Sequence, residues 1–317
     1  MNKQVSHGRA VLELNLATFM ISWTGVLARV IEWAPPFTIF ARTLLAAPFL
    51  LLFALLSRRA PSLVGAREYG HAAAQGTLLA LHWVTYFESI RVAGVAVGVI
   101  SLFTYPIFTV LLEPLWSRVR PRAGDLIIAA AVLGGVALLV PTPDIADDTT
   151  RGVLVGLVSA VCLALRNIMT RRYLHGRPSL TVMLYQTTTA ALVLSPVLFF
   201  HHPVPDLKNT GYALVLAVVC TAGGHTLFVK SLGRLGAKSA GIIASMQPLY
   251  SIMLAIILLN EIPGTRTIIG GAIILGAVIL EVFRAAPANS PSNSAPRDAI
   301  QQHAQAEQDA QGKDQRG

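Results

Sequence analysis

Six ionisable side chains stand inside long apolar stretches of this chain: Glu13, Arg42, Glu88, Glu113, Arg166 and Lys230. Each costs ~2.5–3.5 kcal/mol at the centre of a membrane helix, so they are the first candidates for chemistry: ion pairing, proton exchange or binding of a charged solute. Tyr105, Thr109 and Glu113 share one helical face at i, i+4, i+8 spacing. Ser159, Cys162, Arg166 and Thr170 make a second polar stripe. Two such stripes either line a pathway or seal it, and Glu113 with Arg166 is the expected ion pair. Arg42 calls for a planar, two-pronged partner, with Glu88 and a substrate carboxylate as the two candidates. Glu88 also has Arg91 one turn on, and Lys230 is long enough to reach an interface from inside a span.

Other residues suit a cavity wall. Pro106 and Pro248 fall in the middle of apolar stretches, where each removes a backbone hydrogen bond and frees an acceptor. Tyr105 and Gln247 each directly precede one of these prolines. Trp23, Trp83, Tyr86 and Tyr250 place aromatic surface within spans, which suits an amphipathic ligand as well as core packing. His82 and His225 could exchange protons near neutral pH. Gly94 with Gly98, and Gly152 with Gly156, have the four-residue spacing that lets helices approach closely.

The elements that carry these residues follow from composition. Of 317 residues, 54% are apolar and only 13% charged, against about 25% charged in soluble domains. A water-soluble enzyme does not fit. Apolar runs long enough to cross a ~30 Å hydrocarbon core mark ten spans, at 11–31, 36–57, 70–90, 94–117, 122–140, 152–171, 179–200, 211–233, 237–260 and 266–284. Short connections with Pro or Gly separate them. Residues 285–317 have no apolar period and are expected to be a disordered tail. The net charge of +9 reflects loop arginines rather than nucleic-acid affinity. Cys162 and Cys220 both fall inside spans, so no disulfide framework is implied. No metal-binding cluster and no cleavable leader are evident.

Basic residues set the orientation. With the N-terminus inside, cytoplasmic ends hold Lys3, Arg9, Arg58, Arg59, Arg67, Arg118, Arg120, Arg122, Arg171, Arg172, Arg177, Arg234, Lys238 and Arg284. The outer ends hold only Arg29, Arg91, Arg151, Lys208 and Arg266. That bias puts both termini in the cytoplasm. Arg42 and Glu88 then lie toward the outer face, and Glu113, Arg166 and Lys230 toward the inner one. A repeat runs through the chain: Pro106 and Pro248 differ by 248 − 106 = 142, and the same shift relates Pro36 to Pro178, Ser89 to Ser231, Gly94 to Gly236 and Gly134 to Gly276. It also relates Glu88 to Lys230. Five spans per copy is an odd number, so the copies enter the membrane from opposite sides, the inverted repeat typical of secondary carriers.

With Trp23-Thr24-Gly25, Pro36 with Arg42, Phe87-Glu88-Ser89-Ile90-Arg91 running into Pro106, Ser245-Met246-Gln247-Pro248, Leu259-Asn260-Glu261 and Gly270-Gly271 through Gly276, the chain resembles the drug/metabolite transporter superfamily, EamA type, over residues 8–284. The family's glutamate after span 9 is present as Glu261, whereas its repeat-equivalent position is Val119. The resemblance implies an all-α polytopic membrane protein of ten transmembrane helices in two five-helix inverted-topology repeats, residues 11–141 and 151–284, behind a ten-residue cytoplasmic N-terminus. It implies a secondary transporter of a small metabolite, amino-acid-like or drug-like, more usually an exporter, in the cell membrane (the inner membrane of a bacterium). Expected partners are the small-molecule substrate, the lipid bilayer and protons as a candidate coupling ion, with no cofactor and no nucleic acid. Expected substrate-binding or gating residues are Trp23, Arg42, His82, Tyr86, Glu88, Tyr105, Glu113, Arg166, Lys230 and Gln247, with Pro106 and Pro248 as hinges. An uptake carrier or uniporter of the same plan is the alternative. His201 and Asp206 match an H-x4-D acyltransferase pattern without a second catalytic element. No GxxxxGK[ST] loop for ATP is present.

Overall fold

The computed structural model describes residues 2–57, 62–114, 123–142, 144–174, 176–200, 206–232, 235 and 237–285, and among them every regular element is helical. Helix α1 runs from Asn2 to Val30, α2 from Pro35 to Leu56 and α3 from Gly65 to Ala93. The fourth segment is divided into α4, Val95–Leu102, and α5, Tyr105–Leu112. Helix α6 is Ala123–Leu139, α7 is Asp148–Tyr173 and α8 is Ser179–Leu194, prolonged by a 3-10 turn at Ser195–Phe199. The next segment is composite: α9, Leu207–Val215, then a π-helix over Leu216–Gly224, then α10, His225–Leu232. Helices α11, Ala237–Ala244, and α12, Gln247–Leu259, make another divided segment, and α13 spans Thr265–Ala285. The tail expected at 285–317 lies outside the described residues, apart from Ala285 at the end of α13.

Local chemistry explains where these helices start and stop. Pro35 and Pro36 occupy the first turn of α2, where a missing N–H costs nothing. Asp147 caps α7 by accepting from the Thr150 N–H at 2.7 Å, and Arg171 and Arg172 fall in its last turn, each complementing the helix dipole. Asp206 caps α9 in the same way. Asn260 ends α12 in the left-handed conformation, φ 54°. Inside the apolar helices, Thr18, Ser22, Thr43 and Thr109 donate to carbonyls one turn back, so hydroxyls at membrane depth find acceptors.

Eight helical segments are long and apolar enough to cross a membrane, which makes this a polytopic membrane protein. The expected span at 70–90 and residues 123–139 of that at 122–140 are helical too, but they do not meet that measure. Helix α3 is 29 residues long and is the more polar because it runs through the protein interior. It packs against α7 and α8, and Gln75, His82 and Ser89 on it are buried. Helix α6 has only 17 residues.

The two divided segments break at positions 142 residues apart. The first break is at Phe103–Thr104 and the second at Ser245–Met246, with 245 − 103 = 142. Each lies just ahead of its proline, whose ring cannot sit beside a continuing helical carbonyl four residues back. Helix pairing is reciprocal as well: α1 packs on α12, as α7 packs on α4 and α5.

Glycines set the closest approaches. Gly152 lies against Ala93 and Gly156 against Ser101 and Ser89, so this spaced pair packs α7 onto α3 and α4. Gly135 on α6 meets α13: a Cβ there would sit 2.7 Å from Ile274 Cγ1 and 2.9 Å from the Gly270 carbonyl oxygen. Neighbouring Gly134 has nothing within 4 Å. Gly135→Ala should therefore destabilise the protein by about 1–3 kcal/mol through overpacking, whereas Gly134→Ala should be neutral or stabilising by about 0.5–1 kcal/mol. Thermal unfolding of the two variants in detergent checks this; equal midpoints would mean that α6 and α13 do not touch here.

Candidate functional site

A cavity of about 1180 Å³ opens among α1, α2, α3, α7, α8, α10 and α12. Its deep wall holds Thr24, Arg42, His82, Trp83, Tyr86, Phe103, Tyr105, His225 and Gln247, and its other residues lead past Arg166 and Thr170 to Ser57, Arg171, Gly176 and Arg177. Those last residues belong to the end of α2, the end of α7 and the α7–α8 connection. The mouth is therefore at the bundle end that carries Arg171, Arg172 and Arg177.

Arg42 is the most deeply placed ionic group, 1% exposed. Its Nε donates to Thr221 Oγ1 at 2.7 Å, and its guanidinium lies 4.0 Å over the Trp83 ring and 6.0 Å from that of Phe87. Trp83 and Phe87 are one turn apart on α3, so the guanidinium rests on one helical face as a cation–π contact. Thr221 belongs to the π-helix, and its hydroxyl donates to the Leu216 carbonyl five residues back. That wider turn, part of a nine-residue π-helix, carries Thr221 to Arg42, a departure of the kind found at functional positions. Arg42 Nη1 is buried with no acceptor.

Around Arg166 the groups are again neutral. Gln186 Oε1 accepts from both Nε, at 2.9 Å, and Nη2; Nη1 donates to Asn167 at 3.1 Å. Gln186 Nε2 donates to Gln75 Oε1 at 2.7 Å, as does the Thr170 hydroxyl at 2.6 Å. Nearer the centre, the Ser159 hydroxyl donates to the His82 carbonyl at 2.8 Å while His82 Nδ1 lies 2.8 Å from the same hydroxyl oxygen. Since Ser159 has one proton to give, Nδ1 is the donor in that second contact. His82 therefore carries its proton on Nδ1 and leaves Nε2 for the cavity.

The mouth is bordered by ion pairs. Arg171 bonds Glu113 at 2.6 Å, and Arg177 bonds Glu68 at 2.7 Å. The Arg177 partner and the Val64 N–H hold the Glu68 carboxyl below its usual range, so this link persists at neutral pH and is lost as acid titrates Glu68 below its ordinary value. At the opposite end the bundle is closed. Glu261 Oε1 accepts from the Val95 N–H at 2.7 Å, tying the α12–α13 connection to the start of α4. Gly94 has φ 89°, and a Cβ there would overlap that same carboxylate. Arg29 donates to the Arg91 carbonyl at 2.7 Å, Arg91 to the Trp33 carbonyl at 3.2 Å, and Lys208 pairs with Glu32 at 2.9 Å.

Several expected residues meet at the cavity: Arg42, His82, Tyr86, Tyr105, Arg166 and Gln247, joined by Trp83 and His225. Trp23 does not line it; its ring packs on Phe19. Tyr250 instead bonds Asn15 at 3.2 Å. Glu13 pairs with Arg9 at 2.9 Å. Pro106 and Pro248 sit just past the helix breaks rather than on the wall. The Lys230 side chain and His201 lie outside the described residues. Asp206, the other half of the H-x4-D pattern, is engaged by Asn209 as a helix cap.

Two expected ion pairs are corrected. Glu88 does not pair with Arg42: the arginine lies on the Trp83–Phe87 face of α3, and Glu88 is turned roughly 100° from Phe87. Nor does Arg91 take Glu88, being used at the closed end. Glu113 does not meet Arg166. It follows the last turn of α5 at the mouth and takes Arg171, five residues or about 7.5 Å further along α7, while Arg166 faces Gln186. Sequence reasoning missed Thr221, Gln75 and Gln186; for Thr221 a faint signal existed in Thr221-Ala222-Gly223-Gly224, a run poor in helix-favouring side chains.

A membrane-embedded bundle with divided helices around a cavity that is closed at one end defines a transporter-like class of protein. The EamA-like transporter family model matches residues 9–140 and 150–283, and the chain belongs to that family. The pseudopaline exporter CntI of Pseudomonas aeruginosa is 26% identical over 72% of this chain and 80% of its own length. The S-adenosylmethionine uptake transporter of Rickettsia conorii is 21% identical over 66% of this chain and 70% of its own. A crystal structure with 17% identity superimposes with a TM-score of 0.62, covering 88% of this chain and 98% of that one, which marks a shared fold.

The Glu261–Val95 bond yields a direct test. Glu261→Ala leaves the buried Val95 N–H without an acceptor and should cost about 1–3 kcal/mol, whereas Glu261→Gln keeps an oxygen there and should hold most of the stability. Thermal unfolding in detergent reads both; an Ala variant as stable as the Gln variant would remove the cap.

Proposed function

We propose that this protein is a secondary carrier that exports a small metabolite by alternating access, working in the cell membrane with both termini in the cytoplasm. The observation that carries the reading is a cavity open at one end of the bundle and shut at the other by contacts between segments. Under the loop-charge rule the open end, with Arg171, Arg172 and Arg177, faces the cytoplasm, so the described state is inward-facing. Counting α3 and α6 with the eight long apolar segments gives ten crossings. The shared 142-residue offset of the helix breaks, and the reciprocal packing of α1 on α12 and of α7 on α4 and α5, support two inverted repeats of five helices each. In this scheme the breaks ahead of Pro106 and Pro248 are hinges, and the repeats rock about the cavity.

Export follows the exporter relative; uptake, favoured by the S-adenosylmethionine relative, is the second reading, since an inward-facing state belongs to the cycle of either. A membrane-embedded enzyme has less support, because Asp206 is spent on capping α9 and no second catalytic element accompanies it.

In proteoliposomes the purified protein should show saturable flux and counterflow of metabolites released more by overproducing cells than by cells lacking it; linear flux without counterflow would make it a channel. Arg42→Ala should lower that flux at least tenfold with membrane insertion unchanged. Reporter fusions in 141–151 should report the side opposite both chain ends, and a shared side would dissolve the inverted repeat.

A further inference from the structure

Four arginines described at the cavity divide into two kinds. Arg171 and Arg177, at the mouth, each hold a carboxylate partner, Glu113 and Glu68. Arg42 and Arg166, deeper in, touch only neutral acceptors and ring faces: Thr221, Trp83 and Phe87 for one, Gln186, Asn167 and Met183 for the other. Among the described lining residues there is no Asp or Glu. The deep cavity therefore carries two guanidinium charges without counter-charge, and the Nη1 group of Arg42 has no acceptor at all.

A charge taken out of water without a partner is strongly unfavourable, and a guanidinium is shaped to take a carboxylate through two parallel bonds. The sequence offers the same chain better alternatives, since Glu88 stands one residue from Phe87 yet is turned away from Arg42. We infer that the substrate supplies the missing charge: the cavity takes an organic anion whose carboxylate, or similarly planar acid group, docks on Arg42, with apolar or aromatic surface against Trp83, Tyr86 and Phe103. This rests on the carrier reading above and narrows its substrate to net anions. A cationic amine finds no counter-ion there, and a zwitterion would leave its ammonium unmatched between two arginines. At about 1180 Å³ the space is far larger than an inorganic ion needs, and its aromatic walls do not suit one.

The test uses the purified full-length protein in proteoliposomes preloaded with a soluble cell extract that has been separated by charge into anionic, neutral-plus-zwitterionic and cationic fractions. Radiolabelled chloride is offered in a parallel arm. The anionic fraction should support counterflow at least tenfold above the other two, and chloride should not accumulate. Arg42→Gln should reduce the anionic counterflow at least tenfold while Arg151→Gln, an exposed arginine at the closed end, leaves it unchanged. Arg42→Lys, which keeps the charge without the planar fork, should keep the anion preference at weaker apparent affinity. Preference of the wild type for the neutral or cationic fraction, accumulation of chloride alone, or undiminished anion counterflow in a correctly inserted Arg42→Gln protein would each overturn the inference. Counterflow with none of the fractions would instead overturn the carrier reading on which it stands. Because wild-type selectivity alone decides, failure of a variant to fold does not rescue the proposal.

Discussion

A guanidinium held away from water must find its compensation locally, and the architecture around Arg42 is arranged by that requirement. The compensation comes from a threonine oxygen, the faces of two aromatic rings and an electrostatic environment left open to the cavity. None of these neutral devices matches a carboxylate. A hydrogen bond to a charged group contributes about 1.5–3 kcal/mol and a desolvated cation–π contact about 2 kcal/mol, while the effective desolvation of one ion in a protein costs several kcal/mol. On these magnitudes the neutral contacts offset much of the desolvation cost, and the anion proposed above would supply the rest.

A second constraint shapes the frame that carries Arg42. Backbone groups at membrane depth need internal partners, so a helix can be interrupted only where protein or a cavity receives the freed groups. Both interruptions, Phe103–Thr104 and Ser245–Met246, adjoin cavity residues (Phe103 itself and Gln247). The π-helix is a third departure from regular geometry: its Thr221 bonds the cavity residue Arg42, and His225, just past its end, lines the cavity. The 3-10 turn at Ser195–Phe199, by contrast, has no residue on the cavity wall.

The sequence carried the helical frame in legible form because its signals are additive: apolar length, proline punctuation and loop charge each point the same way over ~20 residues. Helix α3 escaped the apolar measure, since its burial among other helices admits Gln75 and His82. Six of the expected binding residues reach the cavity wall, and they are the ones whose spacing puts them on inward faces. Pairings were much less legible. Glu113 to Arg166 and Glu88 to Arg42 were chosen on depth alone, yet depth fixes position along the bundle normal and leaves rotation about each helix axis undetermined. A single residue's turn of about 100° sent Glu88 off the Arg42 face. Thr221 was hidden for a related reason, because its position depends on a π-turn that shifts the register from one residue to the next.

The closed end shows how such a site could be coupled to movement. It is knit by Glu261 to a backbone N–H, by two arginines to carbonyl oxygens, and by the exposed Lys208–Glu32 pair. Exposed pairs contribute ~0–1 kcal/mol, and each remaining bond about 0.5–3 kcal/mol, so no single contact locks that end. The substrate can shift that equilibrium only through a difference in its affinity for the two states, and reversing a 1:99 population needs about 5.5 kcal/mol of such difference. Under the carrier proposal, Arg42 supplies part of it. Its Thr221 contact comes from the π-helix, which packs on α1, while its aromatic contacts come from α3, so any movement of the π-helix relative to α3 alters how well neutral groups serve the guanidinium. A bound anion would then weigh most in whichever state serves it least.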